Sequence, residues 1–210
     1  MIEKHTGRPT DMAKREAIVE AAADAFFDRG FAATSIEQVA AAAGVSKVTV
    51  YARFGDKRGL FTAAVERECE KMRGQFDVPA MPHGSVRDRL RTIGEAMMAF
   101  LSRPEMVQFE RRIAAETEAE PAIGAAFLAA GPHRMKQAFT AFLTAMVAAG
   151  ELELDDPELA AEQFASMCKG MGDLDRRFGA PPDPVRDAQR IAGAVEVFCR
   201  AYAADNCDRK

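Results

Sequence analysis

The chain is 210 residues long and 48% hydrophobic, enough to bury one large or two small cores. It has no run of about 18 apolar residues, which excludes a membrane-spanning helix, and its net charge of −4 excludes a uniformly basic nucleic-acid coat. Cys69, Cys168, Cys199 and Cys207 and the histidines His5, His83 and His133 are scattered without metal-ligand or Cys-x-x-Cys spacing, so free thiols, no metal site and no cofactor are expected.

Residues 1–9 read as a flexible arm, and MIEKHTGRPTDMAKRE lacks the apolar centre of a signal peptide, so a cytoplasmic protein is expected. A first helix is predicted from Asp11 to Arg29, with Ile18, Ala22, Ala25 and Phe26 on its inner face and Gly30 ending it. The stretch from Thr34 to Lys57 then reads as two short helices around a tight turn. Ile36, Val39, Ala40 and Ala43 recur at helical spacing, so one face is buried and the other free. Thr34 followed three residues later by Glu37 is a candidate capping box, leaving neighbouring amides to hold a phosphate. Gly44 suits the left-handed corner, and Ser46 can cap the next helix, which presents Lys47, Thr49, Tyr51 and Arg53. This is the layout of a helix-turn-helix, whose second helix enters the DNA major groove. A fourth helix follows the predicted N-cap Asp56 and runs to about Gly74.

The Pro/Gly segment 77–85 divides the chain, and further helices are predicted at 85–102, 105–119, 121–130, 132–149, 157–178 and 184–204. Gly150 and Gly179 fit C-caps, and Asp156-Pro157 and Asp183-Pro184 fit N-caps with proline in the first turn. No sustained period-two run or hairpin turn is present, so the fold class is all-α. Four segments are expected: the arm (1–9), a helix-turn-helix domain (10–56), a connecting helix (57–76) and a second helical domain (77–210).

Three features of the second half stay open at this level. Leu159, Gln163, Phe164, Met167 and Met171 lie near one face of one long helix, and Ala188, Ile191, Ala192, Val195, Phe198, Cys199 and Tyr202 form a stripe on the next. The pair can join the same two helices of a second subunit as a four-helix bundle, or can form an ordinary intrachain core. Met97, Met98, Phe100, Phe109, Phe127, Met135, Phe139, Phe142, Met146, Met167 and Met171 supply soft apolar surface, either for a ligand pocket or for plain core. Glu110, Arg111, Arg112 and Glu116 either add a polar contact to that pocket or form a solvated face with an Arg112–Glu116 pair.

Charge is unevenly placed. Residues 1–60 hold nine Lys and Arg against eight Asp and Glu, a net of +1, which leaves −5 for the remainder. DNA affinity must then come from a few well-placed cations. An enzyme is the competing class, but no Glu-x-x-His spacing, nucleophile with its base, or phosphate loop is present.

Residues 13–61 resemble the N-terminal domain of the TetR family of bacterial transcriptional regulators. The carriers are Phe31, Thr34-Ser35, Val39-Ala40, Gly44-Val45-Ser46, Thr49, Tyr51, Phe54, Lys57 and Leu60-Phe61. The remainder more loosely resembles the family's AefR-like C-terminal domain, through Ile113 to Glu116, Pro121, Ala130-Gly131-Pro132, Gly150-Glu151-Leu152 and the run from Asp155 to Phe164. The resemblance implies a homodimeric repressor of a palindromic double-stranded DNA operator, released by a small-molecule effector, with an activator or a sequence-tolerant DNA binder as the alternative. It implies base contacts from Lys47, Val48 and Thr49, and backbone contacts from Thr34, Ser35, Tyr51, Arg53 and Lys57. Tyr51 can equally pack its ring on the domain and offer only its hydroxyl. Val45, Val50, Phe54, Leu60 and Phe61 are expected in the core, and Arg8 in the minor groove or in a free tail. Glu37 departs from the pattern, standing where some members carry a base-reading arginine. The pocket would draw on Met97, Phe100, Phe109, Phe127, Phe139, Phe142, Met146, Met167 and Met171. The dimer would use Leu159, Gln163, Phe164, Ala188, Ile191, Ala192, Val195, Phe198 and Tyr202.

Overall fold

The structure, a computed structural model, describes residues 11–73 and 84–204. Among the described residues ten helices follow one another: α1 (Asp11–Arg29), α2 (Ile36–Ala42), α3 (Lys47–Phe54), α4 (Lys57–Arg73), α5 (Val86–Leu101), α6 (Pro104–Ala119), α7 (Pro121–Ala130), α8 (Pro132–Ala148), α9 (Pro157–Arg177) and α10 (Pro184–Tyr202). Among the described residues there is no strand, only an isolated bridge between Leu152 and Ala203. None of the described helices is long and apolar enough to cross a membrane.

The helix starts follow their local chemistry. Each helix from α6 to α10 has proline in its first turn, where a missing N–H costs nothing. Asp156 accepts from the Leu159 amide at 3.0 Å and Asp183 from the Arg186 amide at 2.9 Å, as the Asp-Pro spacing predicts. α9 is not straight: its helical conformation breaks at Gly170 (φ 48°, ψ −154°), a kink not anticipated from the sequence.

Two buried clusters hold the molecule together. The first joins α1–α4 to α6 and α7: Ile18, Phe26, Val50, Leu60 and Phe61 share it with Met106, Phe109, Ile113 and Ile123. The second joins α5, α8, α9 and α10 around Leu90, Ile93, Phe142, Leu143, Phe164, Val195 and Phe198. Phe100 and Met135, both only partly buried, pack against both clusters. Side chains from beyond the 77–85 segment thus complete the core beneath the helix-turn-helix, which fixes how that unit is held.

Candidate nucleic-acid interface

α1, α2 and α4 hold α3 against the first core through Val50, which is 1% exposed, with Val45 and Phe54 packed partly buried beside it. Gly44 turns the corner at φ 65°, and the Val45 amide donates to the Ala40 carbonyl at 3.0 Å. The Ser46 hydroxyl caps α3 by accepting from the Thr49 amide at 3.1 Å and lies 2.8 Å from the Thr49 hydroxyl. With Val50 pointing inward, Lys47, Val48, Tyr51 and Ala52 face solvent, and Val48 is 76% exposed. An exposed valine on a short helix beside a lysine and a tyrosine suits a groove that presents thymine methyls and guanine acceptors.

The cations on this surface are not idle. The Lys47 ammonium pairs with the Glu37 carboxylate of α2 and lies 5.6 Å from the Tyr51 ring centre. The Arg53 guanidinium pairs with Asp11 at the start of α1. Hydrogen bonding to Lys47 holds the Glu37 carboxyl below its ordinary range, and hydrogen bonding to Glu37 in turn raises Lys47. Both carboxylates are exposed, so each pair can open when a stronger anion arrives.

Two expectations about this surface are corrected. The capping box of α2 lies one residue further on: the Ser35 hydroxyl accepts from the Gln38 amide at 3.2 Å, and the Gln38 side chain accepts from the Ser35 amide at 3.0 Å. Thr34, read as the cap and as a phosphate contact, is 2% exposed, and its hydroxyl points inward at the carbonyls of Ala25 (3.0 Å) and Gly30 (2.8 Å). Lys57 is partly buried. Its ammonium donates to the Ala32 carbonyl at 3.2 Å and sits 4.5 Å from the Phe31 ring centre, with its pKa lowered by burial. Arg8 lies outside the described residues.

The second half is rearranged in the same way. Phe164, Ile191, Val195 and Phe198, expected at a dimer face, are buried in their own protomer's second core. Tyr202 packs 4.9 Å from Phe198, and its hydroxyl donates to Gln163 at 3.1 Å. Leu159, Gln163, Ala188 and Ala192 remain on the outside, joined there by Leu174, Phe178, Val185 and Val197. Met171, expected in the pocket, is 63% exposed. Of the other pocket candidates, Phe109 belongs to the first core, Phe139, Phe142 and Met146 to the second, and Met97, Phe100, Phe127 and Met167 are partly buried at their margins. An open groove of about 580 Å³ lies elsewhere, between α1 and α2, and is lined by Glu20, Asp24, Asp28, Arg29 and Gln38 among others. Sequence reasoning also missed the partners of Arg112 and Glu116. They do not pair with each other on a solvated face but reach across to the end of α1 and the loop after it.

Residues 18–64 match the model of the bacterial regulatory proteins of the tetR family, and residues 88–204 match that of the AefR-like transcriptional repressor C-terminal domain. The chain belongs to the TetR family of transcriptional regulators. Its members bind DNA through a helix-turn-helix and are not enzymes. The solved structure of the flavonoid-responsive regulator FrrA is 32% identical, with a TM-score of 0.72, across 91% of this chain and 98% of that one. Among curated relatives, the transcriptional activator FasR of Mycolicibacterium smegmatis is 31% identical over 88 residues, 42% of this chain and 40% of FasR. The transcriptional repressor ComR of Escherichia coli K12 is 32% identical over 76 residues, 36% of each chain. The match therefore spans about two fifths of the length of these two relatives.

Proposed function

We propose that this TetR-family regulator is a cytoplasmic homodimeric repressor that reads a two-fold symmetric operator and is released by a small molecule. The observation that carries the reading is the outer face of α3, where Lys47, Val48 and Tyr51 stand clear of the fold while Val50 anchors the helix from behind. Lys47 donates to guanine acceptors once it leaves Glu37, and Val48 and the Thr49 methyl meet thymine methyls. Ser35, Tyr51 and Arg53 contact phosphates. The dimer is supported by the outer side of α9 and α10, where Phe178 (85% exposed), Val185 (70%), Met171 and Val197 leave large apolar groups in water. A second copy would cover that surface.

The effector would bind at the seam where Phe100 and Met135 touch both cores. The Ser102 hydroxyl at the C-cap of α5 and the Thr140 hydroxyl on α8 are buried without a hydrogen-bond partner, and they offer a ligand polar handles. Since FrrA is flavonoid-responsive, flavonoids are the first probes to offer. An activator remains the second reading, because FasR and ComR act with opposite signs.

Selection of bound duplexes from random DNA tests the reading. The expected winner has two half-sites about one helical turn (~34 Å) apart. On it, Lys47→Ala should weaken binding by roughly ten- to a hundred-fold and relax one base position. Equal loss on random DNA, or no enriched sequence, refutes base reading by α3.

A further inference from the structure

The α1–α2 corner sets where α2 begins and, through it, where α3 points, yet the corner does not satisfy its own hydrogen bonds. The Glu116 carboxylate on α6 accepts from the amides of both Phe31 and Ala32, at 3.1 and 3.2 Å. One α6 turn earlier, the Arg112 guanidinium donates to the Phe27 carbonyl at 3.0 Å and to the Asp28 carbonyl, closing the C-terminal end of α1. Another turn back, the Phe109 ring stacks on Phe27 with centroids 4.0 Å apart and planes 11° from parallel. Spaced i, i+3 and i+7, these three side chains form one ridge of α6.

Gly30 shows how close the contact is. Its φ is 87°, and a Cβ there would stand 2.5 Å from Glu116 Oε1. Continuing along the chain, Thr34 locks the corner to Ala25 and Gly30, and Ser35 starts α2 at the next residue. A displacement of α6 would thus pass through four residues of backbone into the helix-turn-helix. α4, the covalent connection between the halves, is a separate route.

We propose that Arg112 and Glu116 are positioning residues for DNA reading: they clamp the α1–α2 corner to α6 and so hold the two recognition helices of a dimer at operator spacing. The proposal rests on the DNA-reading function proposed above. An acceptor on loop amides and a donor on helix carbonyls are directional contacts, so a small shift of α6 breaks them rather than stretching them.

The full-length protein carrying Glu116→Ala, Glu116→Gln or Arg112→Ala tests this, with Arg111→Ala, an exposed neighbour on α6, as the control. Site-resolved amide exchange reads the clamp directly. Phe31 and Ala32 should exchange at least roughly ten-fold faster in Glu116→Ala, with the α9–α10 core unchanged. Operator affinity should fall roughly ten-fold while affinity for random DNA holds, and spin labels at Val48→Cys on the two subunits should show a broader distance distribution. Glu116→Gln, which keeps an oxygen for both amides, should restore most of both. Unchanged exchange at Phe31 and Ala32 would overturn the clamp. Faster exchange with unaltered spin-label distances and operator affinity would overturn its positioning role. A wild-type chain that binds no DNA would instead refute the function proposed above, and exchange and spin-label distances would still decide the clamp.

Discussion

If α3 reads DNA as proposed, Glu37 is the residue on which discrimination turns. Its carboxylate holds Lys47 and stands on the same exposed side as the recognition helix. On the proposed reading, Lys47 would gain little by leaving it on random DNA, whereas at the operator a guanine edge would replace it. Glu37→Gln should therefore raise affinity for random DNA by roughly three- to ten-fold, steepen its salt dependence by about one counterion, and lower the ratio of specific to random binding. Titrations on both duplexes at several salt concentrations measure this, and unchanged random-DNA affinity would exclude the role. Thr34 shows the limit of reading single residues. Thr34 with Glu37 and Ser35 with Gln38 both satisfy the capping-box pattern, and only the carbonyls of Ala25 and Gly30 waiting behind Thr34 decide between them. Those partners are tertiary and leave no local mark.

At the scale of the element, α3 depends on its ends. It has only eight residues, and an isolated helix that short is unstable in water. The Ser46 cap at one end and Val50 in the core therefore carry much of its order. Ser46→Ala should cost about 1 kcal/mol in stability and weaken DNA binding more than an alanine at the exposed Thr144 of α8. Chemical denaturation and operator titration of the two variants would check it, and equal effects would show α3 to be set by packing alone. The helices themselves were legible because their punctuation is local: proline in first turns, Asp156 and Asp183 as caps, Gly150 and Gly179 beyond the ends. Their outward faces were not. A stripe such as Ile191, Val195 and Phe198 shows that one side of α10 is covered, without saying whether the cover is its own chain or a copy. The large side chains went to the protomer, and a looser set around Val185, Ala192 and Val197 was left outside.

For the whole molecule, a dimer formed as proposed through that outer set would make assembly and DNA reading one property. A single α3 contacts too few base pairs to pick one site, so losing the partner should lose the operator. Val197→Asp together with Phe178→Asp places two charges on the apolar outer side without touching either core. The double variant should sediment as a folded monomer with near wild-type helicity and bind the selected operator at least roughly a hundred-fold more weakly. A variant that still sediments as a dimer would move the interface elsewhere.

The shared core beneath α1 sets a rule for anyone who recombines such proteins. Phe109, Ile113 and Ile123 stand in the same apolar interior as Phe26 and Phe61, so the first 56 residues are no interchangeable cassette. A chimera grafting them onto a foreign effector half would inherit a hollow where the α6 ridge belonged. To keep its native shape, the transplant must bring that ridge along.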